Sequence, residues 1–461
     1  MQKIFDEVNS LDKRCYEEFF LSEDILMEHA SSSMALYIEE KYHDKKTILI
    51  VCGSGNNGAD GIALARLLHT KFDVSLYFYK EVKTDIGKVQ YKRAKSLGVS
   101  FANKIQNADI IVDCIFGSGL NKSLDNQAIS LIEELNSLEA IKIACDIPSG
   151  IFSDGQVNSV AFNADTTITM GALKTSLFSD TAKDYVGKIK VANLGIQREL
   201  YETNTNKYLL EKKDLKLPHR TKHNSHKGSY GHLNVVAGCK KGAGIIAAKA
   251  AFGFGAGIVS VVCHENLDLP YHIMQTHFVS ENCTAIAIGM GLGKYEIDEV
   301  KKILSKDVKK IVDADLFYDE LLLDVLDEDI VLTPHPKEFC SLLKICDIAD
   351  ITIDELQNNR IKYVEKFSSV YPKVVLLLKG TNVIISQGDN LYINTYGSAV
   401  LSKGGSGDVL SGLVGSLLAQ GYEPLDAAIS ASLAHALAAS NFKRNDYSLI
   451  PSDLIEEVRR L

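Results

Sequence analysis

The sequence predicts an α/β protein of two domains, each a mostly parallel, doubly wound sheet with helices on both faces. Three observations carry this. Short apolar runs alternate with helical segments along the chain, and parallel strands buried on both faces read as continuous apolar runs. Nearly every run ends in a loop bearing Gly, Asp or Asn, the residues that strand-to-helix turns favour. A polar, basic stretch, TNTNKYLLEKKDLKLPHRTKHNSHKGSYG (203–231), divides the 461 residues into 1–207 and 208–461. Each part is long enough to bury its own core.

The elements follow in order. Leu21, Ile25, Leu26, Ala30, Met34, Leu36 and Ile38 mark the apolar face of an opening helix. TILIVCG (47–53) predicts a strand, then GIALARLLHT a helix and DVSLYFY (73–79) a strand. ADIIVDCIFG (108–117) leads into a second Gly loop and the helical SLIEELNSL. AIKIACDIPSG (140–150), ADTTITMG (164–171) and KIKVANLG (188–195) complete the first sheet. In the second half, HLNVVAG, AGIVSVVC, TAIAIGMGLG, KKIVDADLF, DIVLTPHP and KVVLLLKG read as strands, followed by the pair NVIISQG and LYINTYG. The segments SKGGSGDVLSGLVGSLLAQG and DAAISASLAHALAAS close the chain as helices.

Composition excludes several classes of function. Apolar residues are 46% and charged residues 24%, near the average of soluble domains. Fifty Lys and Arg against 59 Asp and Glu leave a net charge of −9, the wrong sign for a protein that coats nucleic acid. Nine cysteines without a C-x-x-C pair predict reduced thiols in the cytoplasm. The opening MQKIFDEVNSLDKRCYEEFF is acidic where a signal peptide is basic. Residues 243–263 approach the length of a membrane span, but Lys249 and glycines 253, 255 and 257 predict a small-residue helix, a turn and a buried strand. His219, His223, His226 and His232 cluster near the boundary. Pro218 and Gly228 bracket the first three, which points to a solvated linker or a loop beside an anion rather than a metal site.

Ligands of open α/β sheets bind beyond the carboxyl ends of the strands, so polar residues there are the candidates. Gly53-Ser54-Gly55-Asn56-Asn57-Gly58-Ala59-Asp60-Gly61 fits G-x-G-x-x-G, with Glu81 where a ribose-binding acid would fall. Asn56, Asn57 and an Asp60 carboxylate in the first helical turn argue against a pyrophosphate there, since the acid would compete for the helix N-terminus. Two amides and an acid suit hydroxyls, an amide or a cation. Asp113 and Asp146 each end a strand and face the same loop. Lys174 in GALKTSL fits a base, a substrate clamp or an ordinary surface lysine.

In the second half, Gly404-Gly405-Ser406-Gly407-Asp408 opens a helix. Glycine amides at a helix start cradle an anion, and the acid can accept a hydroxyl proton as a phosphoryl group transfers. The helix dipole and the amides are expected to keep Asp408 ionised. Lys379-Gly380-Thr381-Asn382-Val383 ends a buried strand and suits a nucleotide edge or phosphate. His335, held between Pro334 and Pro336, suits ligand contact. Asp313 and Asp315 fit either a metal–phosphate group or a helix cap.

Together these segments resemble one family, the bifunctional NAD(P)H-hydrate repair enzymes, an epimerase fused to an ADP-dependent dehydratase. The first half is similar to the epimerase through GSGNNGADG, VDCIFGSGL, DIPSG and GALKTSL. The second is similar to the dehydratase through HKGSYGHLNVVAG, KKGAGIIAAKAA, GMGLG, VDADLF, LTPHPKEF, LLLKGTNVI and KGGSGDVLSG. The resemblance implies a Rossmann-like first domain (1–207) and a ribokinase-like second domain (208–461). It implies that Asn56, Asn57, Gly58, Ala59 and Asp60, the loop Gly117, Ser118, Gly119, Leu120, Asn121, Lys122 and Ser123, and Asp146 contact hydrated NADH or NADPH. It also implies a potassium ion on Asn57, Asp113 and Ser149. In the second domain, Ala243, Gly293 and His335 would contact the hydrate, and Lys379, Gly380, Thr381, Asn382, Val383 and Gly407 the adenine nucleotide, with Asp408 as base. ADP as phosphoryl donor, magnesium, a cytoplasmic location and a homo-oligomer are implied as well, with neither nucleic acid nor membrane as partner. This chain has Ala59 where the family usually has Gly, and Lys403 where a small or hydroxyl residue is commoner.

Two other readings compete. A sugar or vitamin kinase of the ribokinase type, fused to a nucleotide-binding domain, explains the 404–408 motif equally well. Alternatively, the first half is a non-catalytic binding module.

Overall fold

The structure is a computed structural model that describes residues 1–157 and 159–461. The chain forms two compact units, 3–205 and 206–461, with residues 1–2 belonging to the second.

In the first unit, seven strands run parallel in the order Ser100–Phe101, Asp73–Phe78, Thr47–Cys52, Ile110–Cys114, Ile141–Cys145, Thr166–Met170, Lys188–Ala192. Alternation assigns the side chains of the central strand: Ile48, Ile50 and Cys52 join one core, and Leu49 and Val51 the other. The strand order reverses between Thr47–Cys52 and Ile110–Cys114, which leaves a crevice at their carboxyl ends. The two loops there approach closely. A Cβ on Gly53 would stand 1.9 Å from the Ile115 carbonyl, and one on Gly58 2.1 Å from the Gly53 carbonyl, so both positions require glycine.

The second unit has the parallel order Met274–Thr276, Ile258–Val262, His232–Val236, Ala285–Ile288, Lys309–Val312, Ile330–Leu332, Val375–Leu378. The antiparallel pair Val383–Gln387 and Asn390–Asn394 extends it, and Lys207–Leu209 adds in parallel to the last strand. Its order reverses between His232–Val236 and Ala285–Ile288. Helix Ser406–Ala419 lies so close to helix Lys241–Gly253 that a Cβ on Gly412 would stand 2.2 Å from the Ala247 carbonyl. Residues 243–263 are thus most of a helix, a turn at Gly255 (φ +101°) and the strand Ile258–Val262. Among the described residues no helix is long and apolar enough to cross a membrane.

Several elements differ from the sequence reading. Helix Glu23–Lys41 buries Leu26, Met27, Ala30, Met34 and Ile38, whereas Ile25 and Leu36 point outward, because the apolar residues outnumber one helical face. Helix Asp85–Ser96 carries no apolar stripe; it buries Gly87, Gln90 and Ala94 and is capped by Thr84. Lys207–Leu209 forms a strand inside the polar boundary stretch. His219, His223 and His226 are exposed in that stretch, but His232 is buried in a strand and hydrogen-bonded to Ser260 (2.8 Å).

Candidate active sites

The first site occupies the crevice of the first unit. Helix Asn56–Leu68 begins after Gly55, so Asp60 lies one turn in rather than in the first turn. It therefore leaves the helix N-terminus open. Asp113, fully buried at its strand end, accepts from the Ser149 amide (2.7 Å), the Ser149 hydroxyl (2.6 Å) and the Ile115 amide (3.1 Å). Burial outweighs these bonds and pushes its carboxyl up to about 6. The Ser149 hydroxyl also accepts from the Phe116 amide (2.9 Å). A Cβ on Gly117 would stand 3.2 Å from both Asn57 Oδ1 and Asp146 Oδ2, so these two side chains converge on the start of the 117–123 loop. Both polar ends of the Asn57 amide are buried without a hydrogen-bond partner among the described residues. The methyl of Ala59 is directed elsewhere: it lies 3.5 Å from where a Cβ on Gly87 would be, in the packing against helix Asp85–Ser96. The extra carbon relative to the family's glycine therefore sits in a helix contact.

Lys174 is not a surface residue. It is 2% exposed, and its ammonium donates to Asp146 Oδ1 at 2.6 Å. Asp146 holds a positive-φ backbone (φ +68°) just past its strand end.

In the second unit, Gly405 (φ +88°) takes the N-cap position and Asp408 is the third residue of helix Ser406–Ala419. Asp408 is therefore not a cap. Its carboxyl is raised, chiefly by burial and next by Asp313, with Lys379 pulling the other way. The sequence expectation that dipole and amides would dominate is thus reversed, and the residue becomes a better base. Lys379 donates to Asp313 Oδ1 (2.9 Å), and its Nζ lies 3.6 Å from a Cβ placed on Gly407. Asp313 also accepts from the Ala314 amide (2.9 Å) and the Ser411 hydroxyl (2.6 Å). It is thus a cap and an ion-pair partner, while Asp315 accepts from the Gly293 amide (2.8 Å). His335 caps helix Pro336–Ile345 through Nδ1, which accepts from the Glu338 amide (3.1 Å). Burial lowers the His335 pKa, which favours the neutral ring. Glu338 stands 3.8 Å from Lys379, and burial raises it to about 7. The buried Arg360 guanidinium donates to the carbonyls of Lys379 (3.0 Å) and Asn382 (2.9 Å), which fixes the 379–383 loop. Asn382 is itself buried, so that loop presents Gly380 and Thr381 outward. Lys403 is tied to the Tyr447 carbonyl, beside the glycines rather than among them. A cleft of about 810 Å³ opens at the strand-order reversal, lined in part by Gly293, Asp315, Cys239 and Tyr295. Ala243 is not part of that lining; it packs against the following turn, where a Cβ on Gly291 would stand 3.0 Å from its methyl.

Residues 23–176 match the family model of the YjeF-related protein N-terminus, and residues 233–460 that of NAD(P)H-hydrate dehydratase. The chain is 44% identical to the bifunctional NAD(P)H-hydrate repair enzyme Nnr of Helicobacter pylori, across 100% of both proteins. The chain belongs to the family of bifunctional NAD(P)H-hydrate repair enzymes. The enzyme of the same name from Escherichia coli is 30% identical, over 95% of this chain and 89% of its own. Among solved structures, the ADP/ATP-dependent NAD(P)H-hydrate dehydratase of Bacillus subtilis covers 53% of this chain and 92% of its own (26% identity, TM-score 0.46). A ribokinase from Thermotoga maritima covers 50% and 100% (14% identity, TM-score 0.36). Membership of the repair family along the whole chain displaces the reading as a sugar or vitamin kinase. Sequence reasoning overlooked four residues at or beside these sites: Glu338, Arg360, Asp12, whose carboxylate accepts from Tyr201 near Lys174 and Asp146, and His435, whose Nε2 lies 3.0 Å from the Ser406 carbonyl. Glu338 had a signal, three residues after His335 in a capping-box spacing. The others lie far in sequence from what they contact.

Proposed function

We propose that the first unit epimerises the R and S forms of hydrated NADH and NADPH, and that the second dehydrates the S form at the expense of ADP. The observation that carries this is the assembly of Asp408, Lys379 and the Ser406 helix start around one point of the second unit. Hydroxide is a poor leaving group. The ring hydroxyl attacks the β-phosphorus of ADP, a new O–P bond forms, the bridging P–O bond breaks, and AMP departs. Asp408 takes the hydroxyl proton, and the amides at the helix start with Lys379 stabilise the charge in transit. Loss of phosphate and of the proton on the neighbouring carbon then restores the dihydropyridine. His335, Gly293 and Ala243 hold the hydrate, and the Arg360-braced 379–383 loop with Gly407 holds the nucleotide.

Asn57, Asp113 and Ser149 fit a potassium ion. An unpartnered buried amide and a carboxyl that burial raises are both relieved by a hard cation. When bound, the ion supplies fixed positive charge beside the Asn56–Asp60 and Gly117–Ser123 loops. Asp313 is engaged by Lys379, Ala314 and Ser411; magnesium, bound with the nucleotide, would supply counter-charge to the diphosphate. The reading takes the enzyme to be a cytoplasmic homo-oligomer. Incubation with mixed hydrate epimers and ADP should restore the dihydronicotinamide absorbance fully and release AMP; absence of AMP would sink the reading.

A further inference from the structure

We propose that Lys174 is a positioning residue of the first site, fixing the Asp146 carboxylate so that one chosen oxygen faces the 117–123 loop. The proposal rests on the reading of this unit as the epimerase. The ammonium is 2% exposed, and each of its three protons has an acceptor: Asp146 Oδ1 (2.6 Å), Thr169 Oγ1 (2.9 Å) and the Met170 carbonyl (3.1 Å). No proton is left for substrate, so Lys174 acts through Asp146. Asp146 Oδ1 is further held by the Met170 amide (3.1 Å) and the Thr169 hydroxyl (3.3 Å). This leaves Oδ2 as the presented oxygen. It accepts from the Ser118 amide (3.1 Å) and lies beside the Gly117 Cα, opposite Asn57.

The arrangement also decides which acid is ionised. Asp146, Asp60 and Asp12 are near enough to influence one another, and Lys174 is a cation that acts on all three. Burial opposes charge on every one of them. For Asp146 the contact with Lys174, with the Met170 and Ser118 amides, overcomes burial and holds the carboxyl below its usual range. Asp60 is pushed well above its usual range by burial, then by Asp146, Asp12 and Glu23. Asp12, which accepts from the Tyr201 hydroxyl (2.7 Å), is raised by burial too. One carboxyl held low stands beside two held high, an arrangement in which one group is disposed to take a proton and another to give one.

The test is a double-mutant cycle in the full chain, with dehydration of the S form as internal control. Lys174→Met should slow epimerisation about 10²–10⁴-fold, leave dehydration unchanged, and move the acid limb of the epimerisation pH profile upward. Asp146→Asn should cost a similar factor, and the double variant should be no slower than Asp146→Asn alone. Losses that multiply, or a Lys174→Met enzyme within threefold of wild type, overturn the proposal. If Lys174→Met does not fold, the double variant, which strands no charge, is compared with Asp146→Asn, and further loss of epimerisation again overturns it. Asp113→Ala separates the two levels. If it abolishes epimerisation while the Lys174 and Asp146 variants are silent, the roles of Lys174 and Asp146 fail and the reading of the unit stands; if all three are silent, the reading of the unit fails.

Discussion

Asp408→Asn keeps the shape of the side chain and removes its basicity. General-base removal typically costs about 10²–10⁴ in rate. Dehydration should collapse by such a factor, while ADP binding by calorimetry and the thermal midpoint stay near wild type. Because burial raises the Asp408 carboxyl, the wild-type rate should fall on acidification with a midpoint above that of an ordinary carboxylate. An unshifted acid limb would remove Asp408 as the base. In the first unit, Asp113→Ala takes one oxygen donor from the proposed potassium site. Epimerisation should drop and lose its response to potassium, with dehydration untouched; a loss of dehydration instead would place the two activities in the wrong units. The loop residues of both sites were legible because glycines, amides and acids crowd single short segments beyond what a turn needs. The pairings were not. Lys174 and Asp146, or Arg360 and Asn382, are brought together by sheet order, and a lone Lys or Arg carries no local mark of burial.

At the scale of elements, helix Pro424–Asn441 pins the start of helix Ser406–Ala419 through His435. The ring is buried, and its Nε2 lies 3.0 Å from the Ser406 carbonyl, where it donates. Burial lowers its pKa from 6.5 to about 4. A group that titrates lower when folded contributes stability that is full above pH 6.5 and is lost as pH falls towards 4. The shift is worth about 3 kcal/mol. His435→Gln retains a donor towards Ser406 and does not protonate in this range. In urea melts of the two proteins, wild type should lose stability relative to the variant between pH 6.5 and 4. A gap that is constant with pH would mean that the ring is not neutral when folded. His435 sits in a run of Ala, Ser and Leu, which read clearly as a buried helix but hid the titratable residue that this helix turns towards the glycine motif. Strands were legible throughout because burial on both faces leaves unbroken apolar runs. Helix Asp85–Ser96 was not, since Gln90, bonded to Asp24 and Glu28, occupies the place of a hydrophobic residue.

For the whole molecule, the division into units makes the epimers a direct readout. The second unit has its own sheet, a continuous core and the complete Asp408–Lys379–Asp313 cluster. The sequence marked the boundary by polarity, but polarity did not reveal that Lys207–Leu209 completes the second sheet against residues 391–393. The Lys207 side chain is buried and ion-paired with Glu365 (2.9 Å). A truncated chain should therefore begin at Asn206, since one beginning at 208 removes this residue and weakens the edge of the sheet. Loss of the Met1 ammonium from Glu211 (3.1 Å) and Asp214 (2.8 Å) matters less, because partly exposed ion pairs contribute about 0–1 kcal/mol. Residues 206–461 should fold and consume the S form of the hydrate with ADP. The R form should then remain, apart from its slow spontaneous conversion. Adding residues 3–205 as a separate chain should restore consumption of the remainder, because the epimers can pass between the chains through solution. If the truncated chain folds and consumes both epimers at the full-length rate, the first unit is not the epimerase.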